Sequence, residues 1–225
     1  MMKKNKSVKI FQVIKEHLSN NAKEYIIIAL IFVIGIFAGV FFVNNIQEAQ
    51  KSEITQYLNN FIEKFKNTET INSMELLKIS MSQNILLGVI VWFFGTTVIG
   101  IPVVFGLILY RGFCLGYTIS VCITIMGLTK GLSFSLVALL LQNIILIPAI
   151  IALAVSGFKL YKSIVKNKTR ENIKLEILRH TIFSLLMIIL LMISSVVEIF
   201  ISTNILSNII KYFWKILKNV FTFFE

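Results

Sequence analysis

Long apolar runs, not short alternations, organise this chain. Residues 25–43 give 19 consecutive positions without a charge, enough for a helix to span a hydrocarbon core about 30 Å thick. A second uncharged run, 85–109, is interrupted by Gly100 and Pro102, and a third, 112–128, follows Arg111. Beyond Lys130 comes a fourth run, 132–157, and then a fifth, 181–205, whose sole charge is Glu198. The pattern predicts an all-α polytopic membrane helix bundle of five transmembrane helices, a single integral membrane domain over residues 1–225. Gly-Ile-Pro at 100–102 leaves open a re-entrant segment within 85–128.

Between and beyond the runs the apolar period becomes helical. In the loop 44–84, Ile54, Tyr57, Leu58, Phe61 and Phe65 share one face, as an amphipathic helix requires. Met74, Leu77 and Met81 then lead into the second run, with Asn72 as N-cap and Glu75 three residues on. This loop fits either a partner-binding surface or a helical hairpin lying on the membrane. In the tail 206–225, Ile209, Ile210, Phe213, Leu217 and Phe221 oppose Lys211, Lys215 and Lys218. Val8, Phe11, Ile14 and Leu18 repeat the theme within the basic segment 1–24. Both ends are expected to lie in the interface against membrane lipids.

Composition reinforces the membrane reading. The chain is 56% hydrophobic and only 15% charged, with a mean hydropathy of +0.83. A soluble core of this size could not hide that much apolar surface. An ordinary cytoplasmic enzyme and a disulfide-stapled secreted domain are therefore excluded. The net charge of +11 speaks first to orientation, because basic residues mark cytoplasmic loops. With the N-terminus inside, segments 1–24 and 158–180 and a turn at Arg111 together hold 14 basic residues against 8 outside. Five crossings then put the C-terminus outside. Residues 25–43 have no small-residue cleavage site behind a short apolar region, so they read as an uncleaved anchor. Cys114 and Cys122 lie eight residues apart. A helix separates them by about 12 Å, beyond disulfide reach.

Small and polar residues inside the runs mark packing or interaction positions. Gly35 with Gly39, and Gly112 with Gly116, are spaced to let helix backbones approach closely. Gln142 and Asn143 place two amides near the centre of the fourth run, and Pro148 follows five residues later. Such a pair beside a helix break fits interhelical hydrogen bonding, or a substrate site in a transporter. Glu198 falls near the outer interface, where its carboxylate is expected to snorkel to water. The chain carries no zinc-helix, nucleophile-elbow, phosphate-loop or dinucleotide motif. His17 and His180 are both juxtamembrane and far apart. No catalytic, cofactor or metal site is expected, and anionic lipid accounts for the basic clusters without nucleic acid.

Taken in order, several elements resemble the stage II sporulation protein M family over essentially the whole chain. They are Gly35…Gly39…Asn44, Gln50-Lys51 with Tyr57-Leu58-Asn59…Phe61, and Gly100-Ile101-Pro102. Arg111-Gly112-Phe113…Gly116, Met126-Gly127, Gln142-Asn143…Ile147-Pro148-Ala149 and Ser194-Ser195…Glu198 complete the series. The wider family often carries Pro-His-Gly and a glutamate where this chain has Leu141-Gln142-Asn143 and Leu146. The resemblance implies a non-enzymatic scaffold in the mother-cell membrane at the sporulation septum. Its implied partners are stage II sporulation proteins D and P, peptidoglycan hydrolases that thin septal wall during engulfment of the forespore. A homo-oligomer is compatible with it, and a small-molecule or lipid transporter subunit is the alternative. The odd number of crossings has a direct check: protease added to intact protoplasts should digest a tag fused after Glu225. A protected tag would remove the outward-facing tail.

Overall fold

The computed structural model describes residues 19, 21–66, 73–165 and 170–199. Six helices follow one another: α1 (Ala22–Asn44), α2 (Glu48–Lys66), α3 (Ser73–Gly95), α4 (Ile101–Met126), α5 (Leu128–Val165) and α6 (Arg170–Val197). All but α2 are long and apolar enough to cross a membrane. The all-α bundle and the count of five stand; several boundaries do not. The amphipathic pattern at Met74–Met81 is the opening of α3, continuous with its apolar part, so 44–84 is not a hairpin of two separate surface helices. The chain turns at 96–100, not at Arg111, and Pro102 sits in the first turn of α4. Proline is tolerated there because the first amides of a helix have no partner to lose. Gly-Ile-Pro thus marks a helix start rather than a break inside a span, and Arg111 lies in the middle of α4.

The next reversal falls at Gly127, not at Lys130. Gly127 has φ +83°, a backbone setting nearly reserved for glycine, and it separates α4 from α5 by one residue. Immediately beyond it the two helices run side by side. A Cβ on Gly131 would collide with the Cys122 carbonyl. The basic segment 158–180 is mostly helical, shared between the end of α5 and the start of α6. Residues 166–169, the tail and the N-terminal amphipathic stretch lie outside the described residues.

The tightest helix pair is α1 on α4. The two predicted glycine spacings meet each other. A Cβ on Gly35 or Gly39 would fall on the Leu109 or Phe113 carbonyl of α4. A Cβ on Gly112 or Gly116 would fall on the Phe32 or Ile36 carbonyl of α1. The numbers rise together along both helices, so they run parallel. At each glycine the hydrogen standing in the Cβ direction points at a carbonyl across the interface, a Cα–H···O contact worth about 0.5–1 kcal/mol. Phe42 stacks edge-on against Phe113 at 5.7 Å and closes the seam at the C-terminal end of α1.

Helix α5 is the central post, touching α1, α3, α4 and α6. Leu146, Ala149, Ile150, Leu153, Ala154 and Val155 are buried there against Ile28, Val91, Val104, Ile108 and Leu191. Outward-facing positions such as Phe37 and Phe41 of α1 are about 70% exposed, as helices solvated by lipid require. Pro148 lies within α5 on its exposed side.

The seam generates a stability prediction. Gly116→Val should destabilise the bundle by about 1–3 kcal/mol, since backbone cannot yield as a side chain can. Gly106→Ala, where a Cβ meets nothing within 4 Å, should leave it unchanged. Thermal unfolding in detergent micelles, followed by tryptophan fluorescence, distinguishes the two.

Candidate functional site

Polar side chains at helical spacing on three helices converge inside the bundle. On α3, Ser80 and Asn84 are four residues apart, and on α6 Ser195 and Glu198 are three apart. Each pair therefore occupies one face. The two helices run antiparallel, and four contacts set their register: Ser80 with Glu198, Asn84 with Ser195, Gly88 with Ile188, and Trp92 with Thr181. Arg111 reaches this seam from the middle of α4.

The bonds form a chain. Arg111 Nη2 donates to Asn84 Oδ1 at 3.3 Å. Asn84 Nδ2 donates to Ser195 Oγ at 2.8 Å, and Ser195 Oγ donates on to the Leu191 carbonyl at 3.4 Å. One turn toward the other end of α3, Ser80 Oγ donates to Glu198 Oε2 at 2.5 Å. Asn84 is 2% exposed, and Ser194 and Ser195 are fully buried. An amide or charge left unpaired in hydrocarbon costs several kcal/mol, so the chain locks α3, α4 and α6 in one register.

This overturns two expectations. Glu198 does not snorkel to water; it is half-buried and tied to Ser80 of a neighbouring helix. Asn143 forms no interhelical bond among the described contacts, because its Nδ2 donates to the Leu139 carbonyl of its own helix at 2.7 Å. A side-chain amide that closes on the preceding turn satisfies itself locally. Of the other predicted positions, the structure joins Gly35, Gly39, Gly112 and Gly116, and leaves Asn44 exposed at the end of α1. The side chains of Phe61, Phe65 and Gln142 lie outside the described residues.

A second polar junction was hidden in the sequence. His180 is 2% exposed, with Nδ1 2.9 Å from Ser156 Oγ and Nε2 3.4 Å from the Trp92 carbonyl. Beside it α3 and α5 touch backbone to backbone: a Cβ on Gly157 would stand 2.9 Å from the Gly95 Cα. A histidine flanked by Arg179 reads in sequence as a surface loop residue. Only the glycine pair opposite makes room for its ring. Among the described residues no three His, Cys, Asp or Glu side chains cluster closely enough to hold a metal ion.

A bundle of five membrane-length helices, zipped by glycines and pinned by internal hydrogen bonds, is a multi-pass membrane protein. The family model for SpoIIM, Stage II sporulation protein M, matches residues 28–203, which include both glycine pairs and the whole polar chain. The chain belongs to that family and is a sporulation membrane protein. No curated protein and no solved structure matches it.

Removing Arg111 or Glu198 should strand the polar group that each satisfies, Asn84 or Ser80. Arg111→Leu and Glu198→Leu are each expected to destabilise the bundle by about 1–3 kcal/mol, and the double variant by less than the sum. Unfolding of all four proteins in detergent measures the coupling.

Proposed function

We propose that this protein is a non-enzymatic membrane scaffold that gathers and positions peptidoglycan hydrolases at the sporulation septum, in the mother-cell membrane. The observation that carries the reading is α2. It is a separate helix between two spans, and its described residues show no extensive packing on another helix. Ile54 and Tyr57 lie on its apolar side, Tyr57 being 77% exposed. An amphipathic helix with an exposed apolar side is available to another surface. The charge bias supports assigning α2 to the side where wall is remodelled. The partners we propose are stage II sporulation proteins D and P, as the resemblance implies.

The bundle suits such a role mechanically. Glycine seams and the polar chain fix α1, α3, α4 and α6 around α5. A helix carried between α1 and α3 therefore has a rigid base. The rival reading, a transporter subunit, draws on the polar chain instead, since polar groups inside a membrane can line a pathway. The bonds within that chain are made between its own members, which favours a structural pin over a vacant substrate site.

Charge substitutions on the α2 face separate the readings. Ile54→Glu with Tyr57→Glu, and Phe61→Glu with Phe65→Glu, should reduce recovery of the hydrolases with this protein from sporulating cells while leaving its membrane level unchanged. Undiminished recovery would remove α2 from the interface. Solute flux in reconstituted vesicles that Gln142→Leu abolishes would favour transport.

A further inference from the structure

Charge concentrates at one end of the bundle. Lys23 and Glu24 open α1, Lys159 and Lys162 stand in the last turns of α5, and Lys174, Glu176 and Arg179 stand in the first turns of α6. The α3–α4 turn shares this end, because Gly95 meets both Gly157 and His180. Here α5 and α6 diverge around a cleft of about 200 Å³ lined by Ser156, Lys159, Glu176, Arg179, His180 and Phe183.

The lining has a consistent chemistry. His180 forms the floor, and both of its ring nitrogens already face partners in Ser156 and Trp92. Lys162 is held by Glu24 at 2.8 Å, whereas Lys159 is exposed at the rim. Arg179 meets Glu176 through one nitrogen at 3.5 Å and keeps 65% of its side chain exposed, so most of its donors are free. On the neighbouring outward face of α6, beside Arg179, Leu178, Ile182 and Leu185 form an exposed apolar stripe.

We propose that this cleft binds the phosphate of an anionic glycerophospholipid headgroup, with Lys159 and Arg179 as the cationic donors. Two cations face one carboxylate, every free group is a donor, and the space fits a headgroup rather than a drug-sized ligand. The apolar stripe on α6 offers the acyl chains a path that free phosphate would not need. Basic pockets between membrane helices are suited to anionic headgroups.

Native mass spectrometry of the full chain, released from micelles doped equally with phosphatidylglycerol and phosphatidylcholine, tests the assignment. The unaltered protein should retain phosphatidylglycerol in about fivefold excess. Lys159→Gln with Arg179→Gln should erase the preference, and Lys78→Gln, on another helix, should preserve it. All these side chains are exposed, so thermal midpoints should not differ. No preference in the unaltered protein, or the same preference in the double variant, would overturn the site. Displacement of the lipid by low-millimolar inorganic phosphate would reassign the ligand to the free ion and overturn the lipid assignment.

Discussion

Lipid gives two apolar helices no incentive to leave it for each other, because a leucine is as well solvated by acyl chains as by another leucine. The α1–α4 seam is therefore built from contacts that lipid cannot imitate. Four glycines bring two backbones together until carbonyls occupy the places of absent side chains. Each glycine sits against the helix that carries the other pair, so the seam is reciprocal. Once it is set, the parallel direction of α1 and α4 is set as well. The intervening α2 and α3 must then carry the chain back across between them.

The polar chain does for α3, α4 and α6 what glycine does for the first pair. Dispersion alone tolerates sliding along an apolar face; a directional bond does not. Asn84 is held by Arg111 on one side and Ser195 on the other, and Ser80 fixes Glu198 one turn away. A slip of one turn would unpair several of these groups in a medium that cannot resolvate them. The His180 junction plays the same part at the other end of α3, beside the second glycine contact, Gly95 on Gly157. The bundle is consequently stiff at both ends of α3, which gives α2, carried between α1 and α3, a fixed base.

Much of this was legible in the chain, and the errors share one cause. Uncharged runs gave the number of spans, and the two glycine spacings identified the residues of the tightest seam. Charges were read as interruptions, so Arg111 was placed in a turn and Glu198 at the water. Arg111 instead bonds Asn84, and Glu198 accepts from Ser80, both within the bundle. Asn143 misled in the opposite sense: adjacent amides in an apolar run suggest bonding between helices, yet Asn143 closes on Leu139 of its own helix. A charge in a hydropathy trace does not disclose whether a partner waits on another helix.

The sequence by itself determined that the chain is a membrane bundle of five spans, because run length and the scarcity of charge are properties of local composition. It also determined which glycines could bring backbones close. Which pairs of helices meet, that Arg111, Asn84 and Ser195 form one chain with Ser80 and Glu198 paired a turn away, and that His180 is buried were decided only by tertiary structure. The reason is physical. A hydrogen bond or a backbone contact across an interface depends on two segments far apart in sequence arriving at the same depth and rotation, and no single stretch of residues carries that information.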